Sequence, residues 1–228
     1  MAAVLAAACS TGARPLLQQS QLAHLNENRY VVVENLFSRD LIARLQQDAL
    51  AVDAHVGINS AIGTLQSSTR RLDTSVRKSR QCAILPPPPN HAGSVETRAE
   101  LIAVVNALRD ELQRSSLLAL PQLEPFSTEL NYLLYPKGGH YMRHLDTPYE
   151  DGGWQRRGRR ATEGGSFSGD ATRRAISFIL YLNQDWNAAD GGALRIFPAH
   201  EFDYGMAQPR LAQHVEDVLP NGGADSIR

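Results

Sequence analysis

Apolar residues recur at helical spacing in two stretches of the first half of the chain. Leu41, Ile42, Leu45 and Ala49 share one face of SRDLIARLQQDALAVDA, and Ser38 stands where it can cap the first turn. Leu101, Val104, Val105, Leu108 and Leu112 form the stripe of a second helix, predicted over 95–117. A shorter helix is expected over 16–27, and the β-branched run Tyr30–Val33 reads as a strand. Residues 57–94 show no period, are rich in Ser, Gly and Arg, and include Pro86–Pro89. Consecutive prolines favour extended polyproline II, so this stretch predicts a loop rather than a core element.

After Pro125 the period shortens towards two. Candidate strands at 128–135 and 140–146 flank Pro136-Lys137-Gly138-Gly139, a turn that suggests a hairpin. Two more strands are expected at 174–183 and 193–198, separated by DWNAADGG. Between the two pairs lies a polar insert, 149–173, with six glycines and five arginines. It reads as a solvated loop, or as a grip on an acidic peptide through Arg156, Arg157, Arg159 and Arg160. In ISFILYLN, Ile176, Phe178, Leu180 and Leu182 occupy one face and Ser177, Ile179, Tyr181 and Asn183 the other. Such a strand suits a barrel wall whose mixed face looks into a ligand cavity. Helices followed by short strands predict an α+β fold with the strands in a jelly roll or related double sheet.

Composition narrows the function classes. The chain has 228 residues, enough for one domain with a sizeable core, and a formal net charge of −1. That charge carries no signature of a nucleic-acid or membrane-surface binder, and no apolar run is long enough to span a bilayer. The two cysteines, Cys9 and Cys82, make neither a disulfide framework nor a zinc cluster. A reducing compartment follows, cytoplasmic or nuclear. Residues 1–20 contain no acid and one arginine. They read as a frayed tail, with a weak organelle transit peptide as the other reading. The expected organisation is a tail over 1–20, a helical support region over 21–120 that includes the loop 57–94, and a strand-rich core over 121–228.

The sharpest local chemistry is His144-Leu145-Asp146. Residues i and i+2 of a strand point to one face, so an imidazole and a carboxylate converge there. One His, one carboxylate and a second His form the facial triad of non-haem Fe(II) oxygenases, which leaves three coordination positions for co-substrate and O2.

Taken together, YPKGGHYMRHLDTP and ISFILYLNQDWNAADGGALRIFP resemble the prolyl 4-hydroxylase family of Fe(II)/2-oxoglutarate dioxygenases. The likeness is to the EGL-nine-type prolyl hydroxylases and their bacterial and algal relatives. It implies a double-stranded β-helix with supporting N-terminal helices. It also implies His144 and Asp146 as iron ligands, and Tyr135 and Tyr181 as residues of the 2-oxoglutarate pocket. Ascorbate is implied as the agent that keeps iron reduced, and a proline-containing protein or peptide as the substrate. Asp190-Gly191-Gly192, Asn183, Asp185 and Trp186 are expected to be architectural.

The family's third ligand, a histidine followed by a basic residue, belongs on a strand after LRIFP. After Asp146 the remaining histidines are His200 and His214, neither at that place, and the chain ends at VEDVLPNGGADSIR where that strand should begin. The sequence therefore predicts a jelly roll incomplete at its C-terminus. The competing functional reading is a truncated or degenerate, inactive oxygenase-fold protein that serves as a binding module or is a gene fragment.

Overall fold

The computed structural model describes residues 15–56, 59–60, 74–85, 92–118, 120–124, 128–144, 146, 155–156, 159–160, 167–168, 171–172, 174–184, 186–197, 216–218 and 224–227. The N-terminal half supplies α1 (Gln19–Asn28), β1 (Val31–Glu34), α2 (Arg39–Val56), β2 (Asn59–Ser60), β3 (Arg77–Lys78), β4 (Arg80–Leu85) and α3 (Val95–Arg114). The Ser38 hydroxyl accepts from the Leu41 amide at 3.1 Å and so caps α2. Ser94 does the same for α3 through the Thr97 amide, also at 3.1 Å.

Strands β5 (Leu130–Leu134) and β6 (His140–Tyr141) do not form the expected hairpin. Both pair antiparallel with the stretch predicted to be irregular: Leu134 lies opposite Arg80, and His140 opposite Lys78. The chain from 130 to 141 therefore runs in one direction along residues 85–77, and Tyr135–Gly139 is an excursion from that strand. The Gly139 amide bonds the Pro136 carbonyl at 2.6 Å, and Gly138 takes φ +68°, a conformation glycine adopts without steric cost. Charged and polar residues (Arg77, Lys78, Arg80, Gln81) hid this strand in the sequence. Its core contribution comes from few positions, Val76 and Ile84 among them. Pro86–Pro89 lie outside the described residues.

Within the insert, β7 (Gln155–Arg156), β8 (Arg159–Arg160), β9 (Phe167–Ser168) and β10 (Ala171–Thr172) form two antiparallel two-residue ladders, β7 with β10 and β8 with β9. β11 (Phe178–Leu180), β12 (Leu194–Ile196), β13 (Glu216–Val218) and β14 (Ala224–Ile227) complete the strands. β14 lies between β1 and β11 in one sheet, so the N-terminal β1 is hydrogen-bonded to the C-terminal end of the described chain. β12 and β13 pair separately, and Arg195 holds Asp217 across that ladder with two bonds of 2.9 and 3.1 Å.

The alternation of β1 shows how the layers stack. Val31 and Val33 pack with Leu108 and Leu112 on the helical side, while Tyr30 packs with Ile196 and Val218 on the other, with Val32 against that group. The greasy face of the ISFILYLN stretch joins the helical side, where Phe178, Leu180 and Leu182 meet Phe37, Leu45 and Leu101. Each face of the sheet is thus covered, by helices on one side and by β12 and β13 on the other.

A buried polar knot ties α2, α3 and β5 together. Asp48, with a fully buried side chain, takes Arg98 Nε at 2.8 Å and Nη2 at 3.2 Å, the Tyr132 hydroxyl at 2.6 Å, and the Ser94 amide. Burial first, and then the bond to Asp48, push the Tyr132 hydroxyl above its ordinary pKa. Gly93 passes directly over this carboxylate at φ +78°, and a β-carbon there would run into Asp48. Gly93→Ala is expected to destabilise the fold by about 2 kcal/mol, from the contact and the strained backbone together. Urea denaturation checks this, and an unchanged midpoint would contradict it.

Candidate metal centre

The His144 segment leaves its strand early. β6 ends at Tyr141, the Met142 amide bonds the Val76 carbonyl at 2.9 Å, and the backbone bends at Arg143 and Asp146. The expected extended strand to Asp146 is thus replaced by a bent segment, yet the two side chains converge: His144 Nε2 lies 3.2 Å from Asp146 Oδ1. The other ring nitrogen, Nδ1, lies 2.8 Å from the Met142 carbonyl oxygen. A carbonyl only accepts, so Nδ1 carries the proton and donates it. Nε2 then presents either a lone pair or a second proton to a carboxylate. Two electron-rich atoms at this distance require a cation between them, a proton or a metal ion.

The residues present fit a divalent metal. Donors on neighbouring vertices of an octahedral site, each at about 2.1 Å from the ion, stand about 3 Å apart. An Nδ1–H fixed on a backbone carbonyl is the usual support of an Nε2 ligand. The Asp146 carboxyl is held well below the usual carboxylate range, first by its bond to His144 and then by the Ser177 hydroxyl, against the cost of burial. It is therefore ionised and able to ligate. Arg174 donates to the Asp146 carbonyl at 2.9 Å and reaches Glu129 at 3.8 Å.

Behind the imidazole stands Tyr141, stacked on it with centroids 3.5 Å apart and planes 18° from parallel. The Arg77 guanidinium lies 4.5 Å from the centre of the same phenol ring, and Arg77 Nε donates to Ser79 at 2.8 Å. Burial raises the Tyr141 hydroxyl above its ordinary pKa, with Arg77 opposing and Asp146 and Tyr135 adding. Arg143 turns away from this group, its guanidinium 4.0 Å from the Phe197 ring centre.

Of the two tyrosines expected at the co-substrate, Tyr135 stands on the excursion between β5 and β6 and is 45% exposed. Tyr181 packs against Tyr30, Ile196 and Val218, between the sheet and the β12–β13 ladder. Strand alternation gives Ser177 and Tyr181 the same side, and Ser177 is the residue that bonds Asp146. The structure brings His144 and Asp146 together and sets Tyr135 near Tyr141, while Tyr181 belongs to a neighbouring apolar group. Among the described residues no cluster of three or more His, Cys, Asp or Glu side chains could hold a metal, and His200 and His214 lie outside those residues. Asp185 also lies outside them. Gly191 and Gly192 take φ +67° and +84°, and Trp186 Nε1 donates to the Gly191 carbonyl at 2.7 Å, so this turn is architectural.

Sequence reasoning missed Tyr141, Arg77 and Ser177. The alternation that paired Ser177 with Tyr181 could have found the serine. Nothing in the sequence marked Arg77, because its strand was not recognised.

A strand-rich α+β fold with a His-x-Asp pair just beyond a short strand can be set beside known proteins. Residues 130–224 match the model described as the 2OG-Fe(II) oxygenase superfamily. The match covers under half of the chain, and it is a likeness of that stretch to the superfamily. Egl nine homolog 1 of Rattus norvegicus is 33% identical over 79 residues, which is 34% of this chain and 17% of that protein. The Homo sapiens protein of the same name is also 33% identical over 79 residues, 14% of its length. The chain thus matches only a small part of these curated relatives.

A Pseudomonas putida prolyl-4-hydroxylase structure superposes with a TM-score of 0.60 at 24% identity, covering 91% of this chain and 84% of that one. A Trichoplax adhaerens prolyl hydroxylase, solved in complex with a hypoxia inducible factor oxygen degradation domain peptide fragment, gives a TM-score of 0.61 at 17% identity, covering 91% and 75%. The fold is the double-stranded β-helix of these proteins with helices on its outer face. No helix among the described residues is long and apolar enough to cross a membrane.

Proposed function

We propose that this protein hydroxylates proline in a protein or peptide, using Fe(II) and 2-oxoglutarate. The observation that carries the reading is the His144 Nε2–Asp146 Oδ1 pair at 3.2 Å, with Nδ1 fixed on the Met142 carbonyl. His144 and Asp146 would hold the iron. Bound Fe(II) would supply the coupling of 2-oxoglutarate decarboxylation, giving succinate and CO2, to insertion of one oxygen atom of O2 into a C–H bond of proline. The protein's own contribution is placement. Met142 and Tyr141 fix the imidazole, Ser177 fixes the carboxylate, and Arg174 fixes the backbone of Asp146.

Tyr135, on its exposed excursion, offers a phenol to the distal carboxylate of 2-oxoglutarate. Tyr181 closes the space between the sheet and β12–β13. Ascorbate would keep the metal reduced between turnovers. Succinate release on incubation with Fe(II), 2-oxoglutarate, ascorbate and proline-containing peptides tests the proposal. Peptide-stimulated succinate that disappears in Asp146→Ala supports it. Succinate no greater than that of Asp146→Ala with every peptide overturns it.

A further inference from the structure

We infer that Tyr141, backed by Arg77, is a positioning residue that sets the plane of the His144 imidazole for metal binding. This rests on the reading of His144 as a ligand. The lone pair of Nε2 lies in the ring plane, so a ligand histidine needs two things fixed: which nitrogen faces the metal, and how the ring is rotated about its own axis. The bond from Nδ1–H to the Met142 carbonyl settles the first. A single hydrogen bond leaves the ring free to rock about the line between its two ends. The flat contact with Tyr141, 3.5 Å between centroids and 18° between planes, removes that freedom.

Tyr141 is itself clamped. The imidazole covers one face of the phenol, so the guanidinium of Arg77, 4.5 Å from the same centroid, takes the other. Arg77 stands directly opposite Tyr141 in the β3–β6 ladder, and its Nε is tied to the Ser79 hydroxyl at 2.8 Å. Backbone register, side-chain bond and stacking therefore converge on one ring orientation. The line of force runs from β3, a strand hidden in a loop-like sequence, through Arg77 and Tyr141 to His144. Supports one step removed from a ligand typically alter metal affinity about 10- to 100-fold when lost.

The test is anaerobic calorimetric titration of the full chain with Mn(II), comparing Tyr141→Phe, Tyr141→Leu, Arg77→Met and His144→Ala with the unaltered protein. Phenylalanine keeps the flat face, whereas leucine fills the space without one. Tyr141→Phe should bind within about two-fold of the unaltered chain, Tyr141→Leu about 10-fold more weakly, and Arg77→Met about three-fold more weakly. Circular dichroism and thermal melting show whether each variant is folded. Equal affinity in Tyr141→Phe and Tyr141→Leu, both folded, overturns the inference, since packing alone would then suffice. If Tyr141→Leu does not fold, the Arg77→Met result decides, and unaltered affinity there overturns the inference. If His144→Ala binds Mn(II) as well as the unaltered chain, the metal assignment itself fails, and that failure is distinct from the others.

Discussion

His144→Ala is expected to weaken divalent-metal binding at least about 100-fold. An imidazole whose Nδ1–H is already anchored and whose plane is already set contributes its full donor strength with little further ordering. Without it, Asp146 remains as a carboxylate held by Ser177, and a lone carboxylate in water is a poor ligand for a transition metal. His144→Gln is expected to fall near the alanine variant, because an amide oxygen on a flexible stem cannot take the place of Nε2. The fold should tolerate both changes, since His144 sits on the bent segment beyond β6 rather than in the apolar core.

The second large effect concerns stability. Asp48→Ala is expected to cost about 3–5 kcal/mol, a large fraction of the roughly 5–15 kcal/mol by which a folded domain is stable. The alanine leaves the nearly buried guanidinium of Arg98 without its carboxylate, and leaves the Tyr132 hydroxyl and the Ser94 amide without their acceptor. Tyr132→Phe should cost only about 1 kcal/mol, because it removes one donor and no charge. The same hydroxyl gives a sign for pH. Its folded pKa lies above the ordinary 10.0, so its contribution is full below that value and declines at higher pH, where the unfolded chain ionises first. Urea denaturation near neutrality and at alkaline pH checks both points. A stability that Asp48→Ala leaves untouched would contradict the account of the knot.

The parts of this fold that were legible in the sequence are those where one force dominates. α2 and α3 are amphipathic and capped by Ser38 and Ser94, and both hold close to their predicted bounds. The alternation of ISFILYLN separated a greasy face from a mixed one, and Phe178, Leu180 and Leu182 of the greasy face pack against the helical core. β3 and β4 were illegible because Arg77, Lys78, Arg80 and Gln81 are held by backbone pairing and by partners distant in sequence, such as Asp53 for Arg80. The supposed hairpin failed for the same reason: the true partner of both its arms lies in that hidden strand. At the site, His-x-Asp was legible as a motif. Its geometry was not, because the bend at Arg143 and the stacking on Tyr141 depend on contacts the chain order does not reveal.

The proposed function requires that His144 and Asp146 hold a metal ion that 2-oxoglutarate joins. Anaerobic calorimetry with Mn(II), run with and without 2-oxoglutarate on the unaltered chain and on His144→Ala, tests it most directly. Saturable binding by the unaltered chain that 2-oxoglutarate tightens is expected, with loss of both the binding and the tightening in His144→Ala. Equal Mn(II) affinity in the two proteins would contradict it.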